Sequence, residues 1–315
     1  MSSAATLGSL AKKLPGVRNL RHAPPYFTGS VMANRLGYQV LRVLGKRALW
    51  KLRTPSVSAE AAKYVRAMAE DGVVVIPDFL PPEQFAQIRE EYERAQSGLV
   101  FRPLPFYSSL ESVKRGRIHA AGFPVEGAGF PRTIEFLVKN KLLWQIVSGV
   151  VRVPMRGIPS AQIDVYQKRD EEAPDNDVET VLHADLHSTT VKAFLYLNDV
   201  EKSNGAFVYA KGSAHLTRSR LRHEYDISVR TAKYKRGDSD IDPDLLAVRG
   251  PNVRNVIRPE YMKAMNVVET SICGKANTLI IANNIGFHRR GDFSSDRVRE
   301  TIMVNFRHLQ RLFWS

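Results

Sequence analysis

Residues 181–190 read VLHADLHSTT. In an extended chain, residues i and i+2 point to one face, so His183, Asp185 and His187 share a side. Two imidazoles around a carboxylate fit three descriptions: a metal site, a catalytic dyad, or a solvated strand edge. A His-x-Asp pair supplies two of the three ligands of the facial triad, which holds Fe(II) and leaves three positions open. The pair alone does not choose, because a polar strand edge presents the same residues. A third ligand must come from elsewhere in the chain.

A candidate for it stands near the C-terminus. In NTLIIANNIGFHRRG (277–291), His288 follows a buried apolar strand, and eleven residues later Arg299 opens RETIMVNF. A sandwich of two antiparallel sheets brings strands distant in sequence side by side. His288 can then meet the His183/Asp185 pair, and Arg299 can enter the same cavity from the neighbouring strand. A guanidinium there suits a carboxylate held by two parallel hydrogen bonds. Arg297 shares the parity of Arg299, and Arg290 also competes, so alternation does not separate them. A fourth protein ligand would fill a position that cosubstrate or O₂ requires, so His187 is expected beside the metal, facing substrate. His215 is expected to be a hydrogen-bonded structural histidine, Lys192 a strand-face charge, and Cys273 an inert core thiol.

Outward from this pair, local signals place the elements. SAEAAKYVRAMAEDG (58–72) predicts a helix with a Ser N-cap and a terminal Gly. VVVIPDF (73–79) predicts a buried strand, and LPPEQFAQIREEYERAQ (80–96) a helix with prolines in its first turn. KNKLLWQIVSGVV (139–151) predicts a helix, and AQIDVYQKR (161–169) a strand. In VKAFLYLNDV (191–200), Val191, Ala193, Leu195 and Leu197 alternate with Lys192, Phe194 and Tyr196. Asn204-Gly205 then carries a short hairpin signal before AFVYAKGS. Residues 214–265 read as a basic insertion with weak helical patches.

With these motifs in place, the chain resembles the phytanoyl-CoA dioxygenase family of Fe(II)/2-oxoglutarate oxygenases over about residues 60–310. HADLH, LNDV, SNG and GSAH match that family's H-x-D-L-H, L-x-D-V, N-G and G-S-H stretches, the last with one extra residue. The eleven-residue step from His288 to Arg299 also matches, and residues 70–93 resemble its opening helix–strand–helix. The resemblance implies a mainly β fold, a double-stranded β-helix of the jelly-roll kind with flanking helices. It implies His183, Asp185 and His288 as iron ligands, Arg299 as the 2-oxoglutarate anchor, and Phe194 as a residue lining the cosubstrate pocket. It further implies O₂ as oxidant, ascorbate as a reductant, release of succinate and CO₂, and hydroxylation of an unactivated C–H bond. Related halogenases carry Ala or Gly where Asp185 stands, so hydroxylation is expected here, with desaturation or cyclisation left open. The matching residues do not carry over phytanoyl-CoA as substrate.

Charge points toward partners. The 315 residues hold 46 Lys and Arg against 32 Asp and Glu, a net charge of +14. Residues 1–58 contain ten of those cations and no acid, and residues 214–265 contain eleven against seven acids, so two segments hold the whole excess. Residues 1–58 are expected to be a basic extension to an oxygenase domain at 59–315. Within it, Leu36, Val40, Val43, Leu44, Leu49, Trp50 and Leu52 recur at helical spacing among Arg and Lys. Such a helix either packs its apolar stripe on the rest of the protein or lies on an anionic membrane surface. Arg218, Arg220, Arg222, Arg230, Lys233, Lys235 and Arg236 predict either a basic pocket mouth, suited to a small or lipid-like anionic substrate, or a solvated basic face. The expected location is cytoplasmic with membrane association; a mitochondrial transit peptide within 1–58 is the alternative. Two other classes stay open: an inactive binding protein on the same fold, and an oxygenase of nucleic acid. The high pI prompts the second, but no base-stacking module accompanies it, so no nucleic acid is expected.

Overall fold

The structure, a computed structural model, describes residues 30–53, 55–96, 118–125, 129–152, 159–168, 178–185, 189–236 and 255–306. Its strands are β1 (Val73–Ile76), β2 (Ile118–Pro124), β3 (Ser160–Lys168), β4 (His183–Ala184), β5 (Val191–Tyr196), β6 (Phe207–Ala210), β7 (Asn255–Val256), β8 (Glu269–Ile272), β9 (Leu279–Asn283), β10 (His288–Arg290) and β11 (Arg299–Phe306). They form two antiparallel sheets. The larger runs β1-β9-β5-β11-β3-β2, and the smaller β7-β4-β10-β6-β8. From β3 to β6, and again from β8 to β11, the chain alternates between sheets. This is the expected double-stranded β-helix.

The alternation in VKAFLY sorts the larger sheet's two faces. Val191, Ala193 and Leu195 of β5 join Ile163 and Val165 of β3 and Ile302, Val304 and Phe306 of β11 in one core. That face is covered by helices α3 (Ala59–Asp71), α4 (Pro82–Gln96) and α5 (Lys141–Val151). They contribute Met68, Ile88, Leu143, Ile146 and Val147 to the same cluster. Each such side chain contributes about 1.5–3 kcal/mol by leaving water. Local signals set the helix ends. The Ser58 hydroxyl accepts from the Ala61 N–H, Gly72 closes α3 at φ +80°, and the Asn140 side chain caps α5. The opposite face of the larger sheet looks across to the smaller one, and it is there that Gln162, Asp164, Lys192 and Arg299 lie.

The Asn204-Gly205 turn is not a hairpin. It carries the chain from β5 in the larger sheet to β6 in the smaller. Local turn chemistry predicted the bend correctly but could not choose the sheet. Gly205 has φ +75°, and a Cβ there would stand 2.0 Å from the Phe293 ring. Buried Asn204 locks the crossing by donating to Asp199 O and Val298 O and accepting from the Glu201 N–H.

Several helical elements differ from expectation or add to it. Helix α6 (Arg218–Arg236) is one continuous 19-residue helix, not weak patches, and α7 (Pro259–Met265) follows it. On the helix Arg220 turns inward, away from Arg218 and Arg222, which lie four residues apart on its exposed side. Arg220 is fully buried, donates Nε and Nη2 to Glu224 Oε1 at 3.1 and 2.9 Å, and gives Nη1 to Ser213 O at 2.7 Å. Glu224 also accepts from Gln39 and Asn255. Burial alone would raise its carboxyl; Arg220 and His223 with these hydrogen bonds hold it low. Gln39 belongs to α2 (Tyr38–Lys51), which with α1 (Val31–Arg35) packs against α6. Yet α2 does not bury its leucines. It turns Gln39 and Val43 inward, sends the Trp50 N–H to Val150 O at 2.7 Å, and leaves Leu41, Leu44, Leu49 and Leu52 exposed.

Candidate metal centre

The smaller sheet assembles the triad by register. β4 and β10 pair antiparallel with His183 opposite His288, so 105 residues of sequence separation become a cross-strand neighbour distance. The two imidazole centroids stand 4.8 Å apart. Asp185 follows β4, and its backbone N–H donates to Asn284 O at 3.1 Å. Its carboxylate oxygens then reach both rings: Oδ1 lies 3.6 Å from His183 Nε2, and Oδ2 lies 3.7 Å from His288 Nε2. One ligand atom from each residue falls within 4.8 Å of the others, so the group can hold a metal ion.

Hydrogen bonds fix which ring nitrogens face the centre. His183 Nδ1 lies 2.7 Å from Val181 O, and His288 Nδ1 lies 3.0 Å from Gly286 O. A carbonyl only accepts, so each Nδ1 carries the proton. In the neutral rings each Nε2 therefore presents a lone pair toward Asp185, as metal-binding histidines require. Phe207 and Tyr209 pack beside the His288 ring, at 5.6 and 6.4 Å between centroids. Both histidines are buried.

Asp185 is held ionised. Burial would raise its carboxyl, but the Lys192 ammonium beside it outweighs that and brings it well below the usual carboxylate range. Lys192 Nζ donates to Asp185 Oδ2. The strand-face reading of Lys192 was thus incomplete, because that face looks onto the triad. Glu179 adds a second carboxylate, 3.8 Å from His183 Nε2.

Arg299 enters from the facing sheet, where β11 pairs with β3 and β5, rather than from a strand beside β10. It is buried, donates Nη1 to Gly205 O, and lies over the Tyr166 ring at 4.3 Å. Its buried Nε has no hydrogen-bond partner, and among the described residues no carboxylate forms a salt bridge with it. Burial lowers its pKa, with Tyr166, Tyr196 and Asp164 opposing. Arg297, which strand parity could not separate from it, is half-exposed and paired with Glu201 at 3.0 Å. Arg290 is buried beside the same Tyr166 ring.

Asp164 links the two groups. It lies on β3 opposite Thr301, and burial pushes its carboxyl up to about 7 against the pull of Gln162, Arg299 and Lys192. Sequence reasoning missed Asp164 and Tyr166. Their signal was present: Gln162, Asp164 and Tyr166 alternate with apolar Ala161, Ile163 and Val165, so one face of β3 is polar. Phe194 is half-buried on the matching face of β5, its ring 5.0 Å from Phe207. His187 lies outside the described residues. His215 is the expected structural histidine, its Nε2 2.9 Å from Ala69 O. Cys273 is exposed rather than in the core, because β8 ends one residue before it.

No protein-family model matches the chain, and no curated protein matches it in sequence. Solved structures do match in fold. The epimerase SnoN in complex with Fe³⁺, α-ketoglutarate and nogalamycin RO superposes with a TM-score of 0.52 at 16% identity, covering 78% of this chain and 83% of that one. SnoN from nogalamycin biosynthesis, described as a non-haem α-ketoglutarate-dependent epimerase, gives 0.51 at 17% identity, covering 78% and 82%. At this identity the likeness establishes the double-stranded β-helix fold that these iron- and 2-oxoglutarate-dependent enzymes share.

Proposed function

We propose that the chain is a non-haem Fe(II)/2-oxoglutarate-dependent oxygenase, similar to the phytanoyl-CoA dioxygenase family, that hydroxylates a C–H bond of a small or lipid-like anionic substrate. The observation that carries this is the pairing of two features between the two sheets. Three convergent ligands, His183, Asp185 and His288, lie across from a buried cation, Arg299, whose Nε has no hydrogen-bond partner among the described residues. A facial triad leaves positions for a bidentate cosubstrate and O₂, and the SnoN complex shows iron and α-ketoglutarate together on this fold.

The donor set fits the groups. Two neutral imidazoles and one ionised carboxylate neutralise only half the charge of a divalent ion. Lys192, Arg290 and Arg299 add further positive charge, and Glu179 offsets part of it. A dianionic 2-oxoglutarate suits that surplus. When bound, iron with 2-oxoglutarate and O₂ supplies oxidising power sufficient for an unactivated C–H bond, with loss of CO₂ and formation of succinate.

The chain's own part is positioning. Val181 O and Gly286 O hold the two rings so that both Nε2 atoms face one point. Lys192 keeps Asp185 ionised as a ligand. The stack on Tyr166 and the bond to Gly205 O fix the Arg299 guanidinium to receive the distal carboxylate. Phe194, Phe207 and Tyr209 exclude water from the triad's apolar side. SnoN is an epimerase, so the fold alone does not choose among outcomes of hydrogen abstraction. The retained Asp185 favours hydroxylation. The test is succinate release by the full chain with Fe(II), 2-oxoglutarate, ascorbate and air, with His183→Ala as control. Iron-dependent succinate, absent in the control, supports the proposal. Iron binding without succinate identifies a binding protein instead.

A further inference from the structure

We propose that the exposed leucine face of α1 and α2 is a docking surface for an anionic lipid bilayer. This goes beyond the proposed reaction and does not rest on the metal centre.

The face inverts the usual amphipathic arrangement. A surface helix normally turns its apolar stripe to the core and its charges to water. On α2 the inward positions hold Gln39, Val43 and Trp50, with Lys46 and Arg47 half-buried beside them. The outward arc holds Leu41, Leu44, Gly45, Ala48 and Leu52, with Leu49 at its edge. Met32 and Leu36 of the preceding turn are also outward. These six large apolar side chains are between 42% and 82% exposed. Isolated exposed leucines are ordinary; six within 21 residues form a patch.

The inward face is held by specific contacts, so the orientation is built in. Gln39 Nε2 donates to the buried Glu224 carboxylate at 3.0 Å. Tyr225 OH donates to Arg35 O at 3.2 Å. The Trp50 ring lies between the Arg47 and Arg152 guanidinium groups, each 3.8 Å from its centroid. Burial brings Lys46 down to about 8. Rotating α2 to bury its leucines would break all of these.

Charge selects the occupant. Residues 30–53 contain no acid; Arg35, Lys51 and Arg53 are exposed around the leucines. Against a second copy of this chain, that rim would face itself and repel. An anionic bilayer supplies both an apolar interior for the leucines and negative headgroups for the rim. Among the described residues no helix is long and apolar enough to cross a membrane, so α1 and α2 would lie in the headgroup plane.

The test is co-sedimentation of the full chain with vesicles of phosphatidylcholine, alone or mixed with phosphatidylserine, at two salt concentrations. The expected result is binding to the mixed vesicles only, weakened by salt. Leu41→Asp with Leu52→Asp should weaken it more than about tenfold, since two apolar side chains leave the bilayer. Lys51→Glu with Arg53→Glu should weaken it about tenfold or more. Unchanged melting temperatures show that the variants fold, and His183→Ala should bind vesicles like the parent. Three results would overturn the proposal: no vesicle binding, equal binding to neutral vesicles, or leucine variants that bind as the parent does. Concentration-dependent dimerisation abolished by the leucine variants would also overturn it, by making this face a contact between copies.

Discussion

The space between the sheets and the outer face of α2 both reverse the ordinary partition of residues. Between the sheets, Asp164, Lys192, Arg290 and Arg299 lie in the interior of a β-sandwich. On α2, leucines lie in water while Gln39 is buried. The two reversals have different signatures. The interior charges have identifiable partners, among them Lys192 with Asp185, Asp164 with Gln162, and Arg299 with Gly205 O and Tyr166. Among the described residues, Arg299 Nε and three converging ligand atoms are open there, which is what a small charged ligand completes. The leucines have no such directionality. They offer area and a cationic rim, which suits a soft, extended partner. Buried charge with a directed gap and exposed apolar area with a uniform rim thus point to different kinds of ligand.

Variants can break this contrast at several strengths. The largest effect is expected at the triad, where Asp185→Ala or His288→Ala should weaken retention of iron by more than about a hundredfold in equilibrium dialysis. Next is Arg299→Ala, which should raise the 2-oxoglutarate concentration for half-maximal succinate release by about a hundredfold. Arg297→Ala, at a half-exposed pair, should leave that concentration within about twofold. Equal effects of the two arginine variants would remove Arg299 from its role.

Asp164 sharpens the interior side through pH. Its folded pKa of about 7 lies above the ordinary carboxyl value. Both states hold the proton in strong acid, and the folded state alone keeps it near neutrality, so this carboxyl's contribution is lost as pH rises through about 7. In metal-free protein, Asp164→Asn should therefore gain stability over the parent by about 2.5 kcal/mol between roughly pH 5 and 8. The readout is that difference, measured by urea unfolding. The parent curve alone mixes in His223, which burial brings down to about 4 and which loses stability in the opposite direction, as pH falls from about 6.5. Gly205→Ala, which puts a Cβ into the Phe293 ring at positive φ, should cost about 2 kcal/mol in the same assay. At the exposed side, Leu41→Asp with Leu52→Asp should change unfolding free energy by less than about 0.5 kcal/mol.

These positions also show what the sequence carried. Period-two alternation separated the helix-packed face of β5 from the face looking onto the triad, and cap residues placed α3. The His183/Asp185 pair and His288 could be joined because a sandwich brings the ends of distant strands together. Three features were not legible for physical reasons. Turn chemistry predicts a bend at Asn204-Gly205 but not which sheet receives the next strand. Helix α6 is rich in charge and buries Arg220, His223 and Glu224, so its inward side has no apolar stripe to mark it. The outward leucines of α2 carry the same periodicity as a buried stripe, and periodicity does not tell inside from outside.

The central claim is that His183, Asp185 and His288 form an iron site served by 2-oxoglutarate on Arg299. The most direct measurement is calorimetric titration of Fe(II), then 2-oxoglutarate, into metal-free protein without oxygen, for the parent, Asp185→Ala and Arg299→Ala. The account predicts one iron per chain in the parent and tight 2-oxoglutarate binding only after iron. It predicts loss of iron binding in Asp185→Ala, and retained iron with weakened 2-oxoglutarate in Arg299→Ala. Iron bound equally by Asp185→Ala, or 2-oxoglutarate bound equally by Arg299→Ala, would contradict it.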